Sequence, residues 1–176
     1  HPDRARAVAR ARSLLDAMEV DVPLVEAASS SRALTADWER YHGFALASSL
    51  TAVGGAQGAA LVAASDTYAR PVMGWGSNPV TDHLLGSRRF AVVHDGCGVT
   101  RVDKVAHLAH WPDAIARLRF CWVGPGHDRN CGTCLKCVTM AMILRVLDVA
   151  PSCFDRPPDD ATIVGVLRAS GPSGFT

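Results

Sequence analysis

No apolar run in this 176-residue chain reaches the roughly 18–20 residues of a membrane span, so the sequence predicts no membrane partner. Neither sign of charge dominates, because 18 Lys and Arg are set against 17 Asp and Glu for a net charge of +1. That balance gives no overall electrostatic footprint for nucleic acid and leaves only local basic patches open. Aromatic residues are scarce at 6% and are not interleaved with basic ones, which weighs against a base-stacking RNA module. Internal repeats and low-complexity tracts are absent. The opening segment HPDRARAVARARSLLDAM is arginine-rich and amphipathic, without the apolar core of a secretory leader. Six cysteines in that context favour reduced thiols and a cytoplasmic setting. The chain starts at His1, not Met, and enters a helical pattern at once. The expectation is therefore a remainder of a longer polypeptide, with a chosen boundary as the plain alternative.

What the chain does have is apolar material, 48% of residues, enough to bury a core in one domain of ordinary size. Val8, Ala11, Leu15 and Met18 recur at three- and four-residue steps, predicting a helix over 4–18. DVPLVEA (21–27) reads as a short buried strand ended by the polar SSSR (29–32). Trp38, Leu46, Leu50 and Val53 predict a helix over 35–53, closed by Gly54 and Gly55. AALVAAS (59–65) and FAVVHD (90–95) read as two more strands, separated by an extended loop over 69–88. Two short helices follow, 101–109 and 112–119, divided at Pro112. Met140, Ile143, Leu144 and Leu147 predict a helix over 135–148 that Pro151 ends. RPPDD (156–160) is a break before a final helix over 161–169 and a tail. Strands alternating with helices indicate an α/β fold with a largely parallel sheet. In such sheets ligands sit beyond the carboxyl ends of the strands, which aligns Ser29–Ser31, Ser65-Asp66 and His94-Asp95 along one rim.

The most specific pattern lies in CWVGPGHDRNCGTCLKC, where Cys121, Cys131, Cys134 and Cys137 are spaced C-x9-C-x2-C-x2-C. Two-residue gaps bring neighbouring thiolates within reach of one ion, and the longer loop returns the remaining ligand. Four thiolates predict a closed structural Zn2+ site with sulfur distances of about 2.3 Å. Gly124, Gly126 and Gly132 suit the turns of such a knuckle. The plain alternative is a set of disulfides or loosely placed thiols, although C-x2-C-x2-C places each cysteine poorly to bridge its neighbour. His127, inside the loop, is an alternative fourth ligand to Cys121.

Other candidates carry a bland reading beside the functional one. Arg101 and Lys104 stand one helical turn apart and can address one phosphate, or form a solvated basic face. Ser65 and Asp66 at a strand end can bind a nucleotide or cap a helix. GSNP (76–79), with Ser77, and then Asp82, offers loop polar groups, or a simple turn at Asn78-Pro79. His94 and Asp95 can supply a base, a metal ligand or a satisfied strand end. His42, His83, His107 and His110 show no catalytic pairing. Cys97 reads as a buried inert thiol and Cys153 as a small packed one.

The α/β order, the lysine-bearing helix and C-x9-C-x2-C-x2-C opening a late helix resemble 7-cyano-7-deazaguanine synthases. These form a zinc-containing branch of the ATP-pyrophosphatase, or PP-loop, superfamily. The resemblance implies an adenine nucleotide α-hydrolase-like, Rossmann-type layer fold, and spans about residues 5–154. It divides the chain into a nucleotide-binding-like core over 1–119, a zinc knuckle and helix over 120–155, and a C-terminal helix and tail over 156–176. It carries the zinc ligands onto Cys121, Cys131, Cys134 and Cys137. TRVDKVAHLA (100–109) resembles the helix whose lysine faces the phosphates, which implies catalytic roles for Lys104 and Arg101. Ser65, Asp66, Ser77 and Asp95 are then expected to bind the cofactor, ATP with Mg2+. One departure is plain: the superfamily's SGGxDS loop, whose amides cradle pyrophosphate, does not occur here, and VGGAQGA (53–59) follows a helix where the loop should follow a strand.

These implications lead to an AMP-forming enzyme, or its C-terminal portion, that adenylates a carboxylate or amide oxygen of a small molecule for attack by nitrogen or sulfur. The chain alone is expected to be inactive. The sheet is expected to lack the strand that carries the pyrophosphate loop. The strand at 22–27 would then have an empty neighbouring position, filled by upstream residues, another chain or a homodimer partner. The rival is a noncatalytic zinc-stabilised module contacting RNA or protein, with RNA the less favoured.

Overall fold

Small and β-branched residues fill GAALVA and FAVVHD, and these two segments form the strands. The structure, a computed structural model, describes residues 2–54, 58–69, 74–121, 123 and 129–171. In chain order its elements are α1 (Pro2–Ala17), α2 (Trp38–Gly54), β1 (Gly58–Ala63), β2 (Phe90–Asp95), α3 (Arg101–Leu108), α4 (Pro112–Arg117), α5 (Leu135–Val146) and α6 (Asp160–Ser170). Single 3-10 turns occur at Ser31–Leu34 and Asp82–Leu85. The chain is mixed α/β and divides into two compact units, one of His1–Leu24 with Val102–Thr176 and one of Val25–Arg101.

In the second unit β1 and β2 pair in parallel, with register running from Gly58↔Phe90 to Ala63↔Asp95. A parallel pair needs a long crossover, commonly a helix. Here the described part of the crossover holds only the 3-10 turn. Side chains alternate across a strand, so Ala60, Phe90 and Val92 share one face and are buried with Ala47 of α2, while Leu50, Val62 and Leu85 pack against them. The other face stays open among the described residues, with Leu61 68% and Val93 42% exposed. Asp37 starts α2 by accepting the N–H of Arg40 at 3.3 Å on its side chain, which satisfies one of the first-turn donors a helix leaves orphaned.

The strand expected over 21–27 is not there. Residues 20–30 carry no regular structure, and Val20, Val22 and Val25 are exposed. Pro23 withholds a ladder donor, and Asp21 and Glu26 would have to be buried beside the valines, so the short apolar run cannot repay its backbone. The empty strand position inferred beside it falls with it. Ser29–Ser31 are likewise not at a strand end: the Ser29 hydroxyl lies 2.7 Å from that of Ser31 and accepts its N–H at 3.1 Å, a local turn entering the 3-10 helix.

The first unit is built around α5, whose Cys137, Val138, Met140, Ala141 and Leu144 are buried. Val105, Ile115, Cys121, Cys153 and Phe154 complete its cluster, and Phe120 meets Phe154 edge-on at 5.5 Å between centroids. The Arg10 guanidinium ties α1 to the end of α4, donating to the carbonyls of Arg117 at 3.0 Å and Leu118 at 2.9 Å. Asp159 caps α6 by accepting the Thr162 N–H at 2.8 Å. Among the described residues no helix is long and apolar enough to cross a membrane.

Candidate functional site

The four cysteines converge from three local structures. Cys121 ends the segment after α4, Cys131 opens a turn, Cys134 is the residue before α5, and Cys137 lies in its first turn. Gly132 makes the turn possible, with φ +74 and its α-carbon against the Arg156 carbonyl, where an added Cβ would sit 2.9 Å from the oxygen. The four sulfurs lie within 4.8 Å of one another. Cys121 and Cys134 are 3.8 Å apart and Cys131 and Cys137 are 3.7 Å apart. A tetrahedron of sulfurs about 2.3 Å from a central ion has edges of about 3.8 Å, so these separations match a Zn2+ cage. They are far longer than the ~2.04 Å of a disulfide, and all six cysteines are free thiols. The disulfide alternative is thereby excluded. His127, Gly124 and Gly126 lie outside the described residues.

The thiols do not ionise alike. Burial opposes ionisation of Cys131, but the Thr133 hydroxyl and N–H both donate to its sulfur and, with Cys121 and Cys134, bring it down to about 6. Burial pushes Cys134 and Cys137 up, and neighbouring sulfurs add to this. A divalent ion would reverse that balance, since a bound thiol is held deprotonated.

Asn130, which the sequence reading passed over, braces the cage. Its side-chain oxygen accepts the N–H groups of Phe120 at 3.2 Å and Cys121 at 3.4 Å. Its amide nitrogen donates to the carbonyls of Leu118 and Cys153, each at 2.9 Å. An Asn beside a Cys in a turn-rich segment is ordinary in sequence, and only its burial distinguishes it.

A second cluster of polar residues occupies the carboxyl ends of β1 and β2. Ser65 and Asp66 follow β1, and the Arg101 guanidinium donates to the Ser65 carbonyl at 3.4 Å. Asp95 ends β2 with an exposed side chain, while its carbonyl accepts the Ala64 N–H at 2.7 Å. Lys104 is half-buried one turn further along α3 and belongs to the other compact unit. Ser77 is not on open loop. Its hydroxyl donates to Asp82 Oδ2 at 2.7 Å, and His94 Nδ1 meets the same oxygen at 2.7 Å. Asp82 Oδ1 accepts the Asn78 N–H at 3.0 Å. Asn78 itself makes the turn, accepting the N–H groups of Val80 and Thr81. The pairing of Asp82 with His94 left no sequence signal, because the two residues share neither an element nor a period.

The loop bearing Ser77 is seated on α2 through glycines. Gly76 N–H donates to the Glu39 carbonyl at 2.7 Å, and a Cβ on Gly43 would overlap the Gly76 carbonyl. His42 serves this packing, with its ring edge-on to Trp75 at 5.0 Å. Cys97 is buried, its thiol 3.7 Å from the His94 carbonyl, and burial pushes Cys153 up to about 11; both are packed thiols. His83, His107 and His110 are exposed and join no metal-binding group among the described residues. Comparison with protein-family models, with curated proteins and with solved structures returns no match to this chain.

Proposed function

We propose that this chain is a zinc-stabilised part of an ATP-dependent, AMP-forming enzyme of the PP-loop type, on an adenine nucleotide α-hydrolase-like layer fold. The observation that carries the reading is the convergence of four thiols at the start of α5, in a spacing that resembles the zinc-containing branch. The polar residues beyond a parallel strand pair support it, since that is where α/β sheets bind ligands. On this reading Zn2+ is structural: four sulfurs leave no open position for substrate. Lys104 and Arg101 offset charge on the ATP phosphates, and Ser65, Asp66, Ser77 and Asp95 contact nucleotide or Mg2+. An oxygen of a small-molecule acid or amide attacks the α-phosphorus and pyrophosphate leaves. A nitrogen or sulfur nucleophile then displaces AMP.

SGGxDS does not occur in these 176 residues, so the reading requires a pyrophosphate loop from outside them, upstream or from a different chain. The test is ATP–pyrophosphate exchange with a panel of carboxylic acids, using the product of the whole reading frame. Exchange is expected with at least one acid, and Lys104→Ala should lower it far more than it lowers the melting temperature. Full exchange in the variant removes Lys104 from the mechanism. One observation favours a second reading, a noncatalytic zinc-stabilised module contacting protein: among the described residues the sheet face of Leu61 and Val93 is apolar and open. No exchange with any acid, with a protein partner protecting that face, would establish it.

A further inference from the structure

We infer that His94 is the proton-accepting residue of the strand-end site, working through Nε2, with Asp82 and Ser77 as the residues that position it. The Asp82 carboxylate is enclosed, with side-chain exposures of 6% for His94 and 2% for Asp82. Its Oδ1 is taken by the Asn78 N–H, and its Oδ2 by the Ser77 hydroxyl and His94 Nδ1. A carboxylate accepts only, so Nδ1 carries a proton and donates, and in the neutral imidazole Nε2 is then the acceptor nitrogen. Ser77 is no nucleophile for this histidine, because it faces the same nitrogen as the aspartate, at 3.5 Å. Among the described residues every buried side-chain nitrogen and oxygen has a partner. His94, among the described residues, is bonded only through Nδ1, so Nε2 is not fully sealed from solvent. A buried carboxylate fixing the tautomer of an imidazole is the arrangement by which proteins prepare a general base. Its place is the end of β2, next to Asp95.

The identity of the proton donor rests on the AMP-forming reading. The attacking amine or thiol forms its bond to the adenylated carbon, the carbon–oxygen bond breaks with its electron pair leaving on AMP, and the nucleophile's proton passes to His94 Nε2.

The test reads His94 without ATP, in the whole chain. Nitrogen-15 NMR of the imidazole should show the Nδ1–H tautomer. Diethyl pyrocarbonate should transfer its ethoxycarbonyl group to His94 Nε2 in the folded protein, releasing carbon dioxide and ethanol, as mapped by mass spectrometry. Asp82→Asn should slow that transfer by about tenfold or more, a part of the ~10⁴ that the equivalent change costs a serine protease. Ser77→Ala, which removes one donor to Asp82 Oδ2 but spares the Asp82–His94 bond, should slow it less than Asp82→Asn does. An Nε2–H tautomer overturns the inference, and so does a His94 left unmodified while exposed His83, His107 and His110 react. An unchanged rate in folded Asp82→Asn removes the positioning role. Should that variant not fold, the tautomer of the unmutated protein still decides. Absent pyrophosphate exchange beside a reactive, correctly protonated His94 sinks adenylation and leaves His94 standing.

Discussion

Asn130 concentrates four hydrogen bonds in one buried side chain. Removing it strands backbone groups of Leu118, Phe120, Cys121 and Cys153 away from water, at about 1–3 kcal/mol for each group left unpaired. With four groups at the lower end of that range, Asn130→Ala is expected to cost about 4 kcal/mol or more of stability, measured by urea unfolding. Asn130→Asp, which keeps the acceptor and loses both donors, should lie between the variant and the parent. Cys153 makes a pH prediction. Burial raises its thiol from 9.0 to about 11, so the folded state binds its proton more tightly than the unfolded chain does. The stability this gives is fully present below about 9 and is lost as pH rises through about 11. Cys153→Val should flatten that alkaline limb in melting temperatures taken from pH 8 to 11, and an unchanged limb would assign it to other groups.

Among elements, the contact of α2 with the 74–85 loop is the one that assembles the strand-end cluster. Gly43 lies inside a helix, where alanine would gain about 1 kcal/mol of helix propensity. Its Cβ would overlap the Gly76 carbonyl, and overpacking of this kind costs about 1–3 kcal/mol. The clash should win, because both sides of the contact are backbone and neither can swing away as a side chain does. Gly43→Ala is expected to lower the melting temperature and to shift the His94 imidazole resonances, since the loop carries Ser77 and Asp82. Gly98→Ala, where an added Cβ meets nothing, is the control.

At the scale of the molecule the two units have separate apolar clusters, one built around the cysteine cage and α5, the other around β1, β2 and α2. Structural zinc contributes about 10–16 kcal/mol in small metal-folded domains, as much as the whole stability of an ordinary domain. Protein purified without chelator should hold one zinc per chain, and Cys134→Ser should lose it. A strong chelator should then abolish amide-exchange protection in α5 and α6, while the β1–β2 amides remain protected. Uniform loss in both units would show that they fold as one.

Local sequence pattern sufficed for the helices, the two strands and the four-cysteine cluster that could hold a metal. Met140 and Leu144 are buried where the helical period puts them, β1 and β2 fall on the two cleanest β-branched and alanine runs, and C-x2-C-x2-C needs only local chain geometry to gather three sulfurs. Each of these is short-range information, fixed by backbone period or by a turn of a few residues. It failed at 21–27, where an apolar run was read without asking what would take its hydrogen bonds. Only the tertiary structure decided that Asp82 meets His94, that Asn130 reaches Leu118 and Cys153, and that Gly43 admits Gly76. Those contacts join residues with no common element, and their energies come from burial and from satisfying polar groups that burial cuts off from water. No local pattern records them, because the cost they relieve exists only once the chain has folded.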